Sequence, residues 1–123
     1  MSEKEAERKL NLSIGGYPGP WYEVSLEADG RLKHVEQTQD GETVTFVTPA
    51  KEDWERFLRS CRRIGVGSWV DMYAQPVCDG TSWQFDVELD SLKSETRGSN
   101  HAPVGFQAFL SAVRRLLGGL EFE

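Results

Sequence analysis

Between Ser82 and Asp90 the chain reads SWQFDVELD, and the alternation is strict. Trp83, Phe85, Val87 and Leu89 take every second position, with Gln84, Asp86, Glu88 and Asp90 between them. Successive side chains of a strand point to opposite faces, so this strand has one dry face and one wet face. It belongs to a sheet covered on one side only. Two helical stripes supply the cover: Trp54, Phe57, Leu58, Cys61 and Ile64 recur at helical spacing, and Phe106, Phe109, Leu110, Val113, Leu116 and Leu117 do so again.

The remaining strands follow from shorter alternations. Leu10, Leu12 and Ile14 mark one, and Tyr22, Val24 and Leu26 open a series predicted over 21–28, 31–38 and 42–47, with Asp29-Gly30 and Asp40-Gly41 supplying tight turns. Further strands are expected over 68–74 and 93–97. Thr48-Pro49 reads as the cap and first residue of the first helix, because a threonine hydroxyl accepts an orphan N–H while proline has none to lose. Gly65 with Gly67, and Gly118-Gly119, are suited to end the two helices.

The helices echo one another, WERFLRSCRRI against FQAFLSAVRRL. The expected organisation is a charged lead-in over 1–9 and a single domain over 10–119, readable as two related strand-strand-helix halves, 10–66 and 67–119. Tight turns between half-wet strands call for antiparallel pairing, and single-striped helices must both lie on the dry face. The predicted fold is α+β: a two-layer sandwich of a mainly antiparallel meander sheet with two helices packed on one face.

Composition narrows the function classes. A chain of 123 residues with net charge −6 repels a phosphate backbone or an anionic membrane, so neither nucleic acid nor membrane is an expected partner. The charged first residues lack the apolar core of a secretory leader, and no apolar run suffices for a membrane span, which predicts a cytoplasmic protein. Cys61 and Cys78 have neither C-x-x-C nor zinc-finger spacing, and no cofactor is expected. Cys61 lies in a helical stripe and reads as a core thiol.

Candidate sites centre on RGSNHAP, residues 97–103. Gly98, Ser99, Asn100 and Pro103 are turn and helix-entry chemistry, which accounts for all but His101. The competing reading is a ligand or partner site formed by Asp79, Thr81, Arg97, Ser99, Asn100 and His101. A nucleophilic arrangement of His101 with Ser99 or Cys78 is disfavoured, since no nucleophile-elbow motif is present. His34 is a poorer candidate still, on a strand that reads as edge-like. Asp86, Glu88 and Asp90 share one face and are weak metal candidates, though a solvated sheet face has the same pattern. Arg62, Arg63, Arg114 and Arg115 suit helix C-termini, and would form one anion patch if the helices ran in the same direction. Trp21 and Tyr17, beside a Pro-Gly-Pro bend, are the aromatics expected at the surface as partner anchors.

Asp79-Gly80-Thr81-x-Trp83, followed by Gly98-Ser99-Asn100-x-x-Pro103-x-x-Phe106, resembles a family of small, mostly uncharacterised bacterial α+β domains. The likeness spans about residues 69–117 and departs from the family pattern at His101-Ala102. It implies a fold family and a bacterial origin, and no activity. The expected function is a non-catalytic binding module for a protein partner or for a second copy. The alternative is a small ligand- or divalent-metal-binding enzyme using the loops around 79–82 and 98–103.

Overall fold

A computed structural model describes residues 8–16, 19–70, 72–74, 81–90, 92–99 and 102–123. Its strands are β1 (Lys9–Gly16), β2 (Trp21–Leu26), β3 (Leu32–Thr38), β4 (Gly41–Val47), β5 (Met72–Ala74), β6 (Thr81–Leu89) and β7 (Leu92–Ser99), with helices α1 (Lys51–Ile64) and α2 (Phe106–Leu116). They form one sheet in the order β4-β3-β2-β1-β6-β7-β5. A meander, β1 to β4, therefore occupies one half, and the hairpin β6–β7 returns to pair along the free edge of β1. The α+β two-layer architecture holds.

Neighbouring strands are antiparallel except β5, which runs parallel to β7 over three residues. Of the strand expected over 68–74, the described part is Met72–Ala74, and Ser68 belongs instead to a 3-10 turn over Val66–Ser68. β5 follows a helix instead of a hairpin turn, so nothing forces it to reverse against its neighbour.

The alternation of β6 sets the core. Trp83, Phe85, Val87 and Leu89 are at most 4% exposed, and so are Leu10, Leu12 and Ile14 opposite them on β1. Both helices press on this one face. The Phe85 ring lies 5.0 Å from Phe109, and Phe57 of α1 lies 6.1 Å from the same Phe109. Trp69 closes on Phe109 at 5.5 Å. Cys61 is fully buried, and desolvation pushes its thiol up to about 12.

The helices run antiparallel. Gly105, entering α2 at φ 89°, abuts Ile64 at the end of α1, and a Cβ there would come within 2.7 Å of Ile64 Cγ2. At the opposite end Arg115 and Leu116 share a crevice with Asp53 and Phe57. The first helix is capped at Ala50, two residues later than Thr48: the Asp53 carboxylate turns back to accept the Ala50 N–H at 2.9 Å. Gly65 ends α1 in the left-handed conformation at φ 90°, donating its N–H to Cys61 O, as expected.

The turns also differ in detail. Asp29-Gly30 is not a two-residue hairpin loop, because Leu26 pairs with Leu32 and the Glu27 N–H reaches Arg31 O, leaving Gly30 alone at positive φ. Asp29 instead accepts the Arg31 N–H at 3.1 Å and its guanidinium at 2.8 Å, and the backbone N–H foremost holds its carboxyl below the ordinary value.

The expected domain end at 119 leaves out a core residue. Phe122 is completely buried, 6.0 Å from Phe85 and 6.5 Å from Tyr22. Its segment is fixed at two carbonyls: His34 Nε2 donates to Glu121 O at 2.7 Å, and Arg114 donates to Phe122 O at 3.0 Å. No helix among the described residues is long and apolar enough to cross a membrane.

Candidate functional site: the open face of the sheet

With both helices on one side, no described helix covers the other face of the sheet, and the strand registers arrange its side chains in rows. One row runs Gln37, Trp21, Gly15, Ser82, Ser99. The next runs Val44, Val35, Glu23, Ser13, Gln84, Arg97, and a third runs Phe46, Lys33, Ser25, Asn11, Asp86, Glu95. The face is polar over β1, β6 and β7 and becomes apolar toward β4.

Gly15 shapes the first row. A Cβ on it would lie 2.3 Å from Trp21 Cε3, so the missing side chain lets the indole lie across β1. Trp21 remains 42% exposed, with a recess of about 340 Å3 beside it lined by Glu23, Gln37, Thr38 and Gln39. A second recess of about 260 Å3 crosses the polar middle, between Glu23 and Asp86. Trp21, Arg97 and Ser99 thus share this face, with Trp21 and Ser99 three strands apart, roughly 14 Å.

Thr81 does not join them. It lies on the helix side, in a cleft of about 270 Å3 with Trp83, Phe106, Gln107 and Glu123. The proposed loop site is therefore divided between the two faces of the sheet. Asp79, Asn100 and His101 lie outside the described residues, as do Tyr17 and Cys78.

Basic residues flank only part of the acidic row. Glu88 stands between Lys9 and Lys93, and Gln84 faces Arg97, while Asp86 lies between Asn11 and Glu95. Asp90 leaves the row: it begins the turn to β7 at φ 52°, a left-handed conformation that aspartate tolerates better than most side chains. Among the described residues no three His, Cys, Asp or Glu side chains converge in the manner of a metal site.

Antiparallel helices also separate the four arginines. Arg62 and Arg63 lie at the end of α1, and Arg114 and Arg115 at the other end of the helix pair. Arg114 is turned inward to the C-terminal segment and to Ser111 Oγ at 3.0 Å. His34 is not edge-like. It is 3% exposed on the core side of β3, and since the Glu121 carbonyl can only accept, its Nε2 carries a proton.

What the sequence reading missed is the exposed apolar row of β4, a strand expected over 42–47. Its register with β3 puts Thr43, Thr45 and Val47 on the helix side and Glu42, Val44 and Phe46 on the open face. Val44 and Phe46 are 44% and 45% exposed, and the Arg31 guanidinium lies 4.3 Å over the Phe46 ring. The alternation of 42–47 shows that Val44 and Phe46 share a face, but only the register with β3 shows that this is the face away from the helices. No protein-family model matches this chain, and no curated protein matches its sequence.

Proposed function

We propose that this domain is a binding module whose working surface is the open sheet face at its β2–β4 end. The observation that carries the reading is that Val44 and Phe46 on the edge strand β4, and Trp21 two strands in on β2, are each more than two-fifths exposed on one face of the sheet. Exposed aromatics on a rigid scaffold are the side chains that dominate protein interfaces. Scattered apolar residues are ordinary on surfaces, but here three of them share one end of one face. The polar remainder of the face, with Glu88 between two lysines, is in keeping with solvation.

Photo-cross-linking in cells of the protein's own organism tests this, with a photoreactive residue at position 21, 46 or 88. Adducts at 21 and 46 well above those at 88 support the reading; equal yields at all three, or none, overturn it.

A second reading rests on the cleft that contains Thr81. Its walls, Trp83 and Phe106, are apolar and its rim carries Gln107 and Glu123, a combination suited to a small ligand with one polar end. A fragment screen followed by NMR at these residues tests it, and the absence of shifts there counts against it.

A further inference from the structure

The edge at β4 specifies its occupant more closely than a general binding surface does. Sheet edges present unpaired N–H and C=O groups, and natural proteins blunt them with prolines, lysines, bulges or short strands. β5, at the far edge, is described over three residues only. β4 is seven residues long and pairs with β3 without a break from Thr38↔Gly41 to Leu32↔Val47. It contains no proline and no lysine, and its one charge is Glu42. A row of backbone donors and acceptors is recognised by another strand.

We infer that β4 pairs antiparallel with β4 of a second copy, about a two-fold axis through Val44, joining two sheets into one. This rests on the reading of the β2–β4 end as a binding surface. The sequence Glu42-Thr-Val-Thr-Phe46 is nearly self-complementary in that register. Val44 lies opposite Val44 and Thr43 opposite Thr45, pairs that stabilise antiparallel ladders. Glu42 lies opposite Phe46 of the second copy, whose ring carries the Arg31 guanidinium at 4.3 Å; that guanidinium already bridges Asp29 through Nε, and its remaining N–H groups are what the strand's one carboxylate would meet. A two-fold through Thr45 would set Glu42 against Thr48 and forgo that pairing, which selects the Val44 register. The axis stands perpendicular to the sheet, so both open faces lie on one side and their Val44 and Phe46 rows merge. An isologous contact of this kind closes on itself and stops at two copies.

The strand-to-strand contact is smaller than the roughly 1,200 Å2 of a standard interface, so a weak, concentration-dependent dimer is expected. Sedimentation equilibrium on the purified full chain, from low to high micromolar, reads it directly: the weight-average mass rises toward twice the monomer. Val44→Lys sets two like charges against each other at the axis, and is expected to keep the protein monomeric while its circular dichroism and melting midpoint stay unchanged, since Val44 is 44% exposed. Glu42→Arg weakens the dimer several-fold, and adding Arg31→Glu restores it. Val44→Cys cross-links to itself on mild oxidation faster than Phe46→Cys, each measured over the wild-type background.

A wild-type chain that stays monomeric throughout overturns self-pairing, while in-cell adducts at position 46 would still support the binding surface. A dimer that survives Val44→Lys uses another surface, and overturns self-pairing equally.

Discussion

β6 and β4 are both alternating strands of one sheet, yet their apolar rows have opposite fates. In β6 the row Trp83, Phe85, Val87, Leu89 faces two helices and is buried, while Gln84 and Glu88 are exposed. In β4 the row Val44, Phe46 faces away from the helices, and the threonines Thr43 and Thr45 take the helix side. β4 lies three strands out from β1, and the core cluster reaches it through Val47 alone. An alternating pattern fixes which residues share a face. Whether that face becomes core depends on what the rest of the chain lays over it.

The sharpest way to break this comparison is to make one chemical change on both strands. Phe85→Ala removes a ring that touches Phe109, Phe106 and Phe122, and is expected to cost about 3–5 kcal/mol by urea denaturation. Phe46→Ala removes a ring already half in water and is expected to cost less than about 1 kcal/mol. Comparable losses at the two positions would mean that β4 is covered in solution by something as dry as the core.

The C-terminal segment belongs with β6 in this contrast, although nothing in its sequence period says so. Phe122→Ala is expected to cost about 3 kcal/mol, because the ring is fully buried between Tyr22 and Phe85. His34→Ala leaves the Glu121 carbonyl without its donor, and about 1–3 kcal/mol is expected, with amide exchange rising in residues 120–123. A loss at His34 without faster exchange there would place its contribution in packing instead of in the hydrogen bond.

Burial under α1 also has a pH signature. The Cys61 thiol titrates at about 12 in the folded chain against 9.0 as its ordinary value, so the folded protein keeps a proton that the unfolded chain releases in between. That contribution is complete below pH 9 and is lost as pH rises toward 12. Near pH 10.5 the loss is about 2 kcal/mol, at 1.36 kcal/mol per pH interval. The Tyr22 hydroxyl, raised by burial and then by Glu36, Glu121 and Glu123, acts in the same direction from pH 10 upward. Urea unfolding near pH 8 and near pH 10.5 isolates the thiol if Cys61→Ala is run alongside: the variant's decline should be shallower by about that amount. Equal declines would show that Cys61 is not desolvated.

The layer arrangement was legible because periodicity reports faces directly: the β6 alternation and the two stripes suffice for a half-covered sheet. Relative direction leaves no such trace. The stripes of α1 and α2 read the same whether the helices run parallel or antiparallel, so an arginine cluster was conceivable that the Gly105–Ile64 contact then divided. Thr48 is the better capping residue by type, but Asp53 lies three residues beyond Ala50 and its carboxylate sets the start there. Phe122 was missed because a single aromatic beyond two glycines has no period. Of the candidate site, Trp21 was read as exposed from its Pro-Gly-Pro neighbourhood, whereas the β4 row needed knowledge of which face the helices would take.

A small effect is expected at Gly15, and it tests whether the open face is shaped locally. Alanine there would favour an extended backbone by up to about 1 kcal/mol, since glycine in a strand is entropically costly. Its methyl, however, would stand 2.3 Å from the Trp21 ring, so the indole must swing off β1. Because Trp21 is already 42% exposed the swing itself costs little, but the methyl would also stand 3.0 Å from the Trp21 Cα, so the paired backbone must give by a few tenths of an ångström and a net loss of about 1 kcal/mol is expected. The change should appear chiefly in the indole itself. With Trp83 buried, Gly15→Ala should raise acrylamide quenching of the emission fraction that Trp21→Phe removes. Unchanged quenching together with a loss of several kcal/mol would mean that Trp21 is anchored as firmly as the rings of β6, and that the open face near β2 is built more like the core than like a surface.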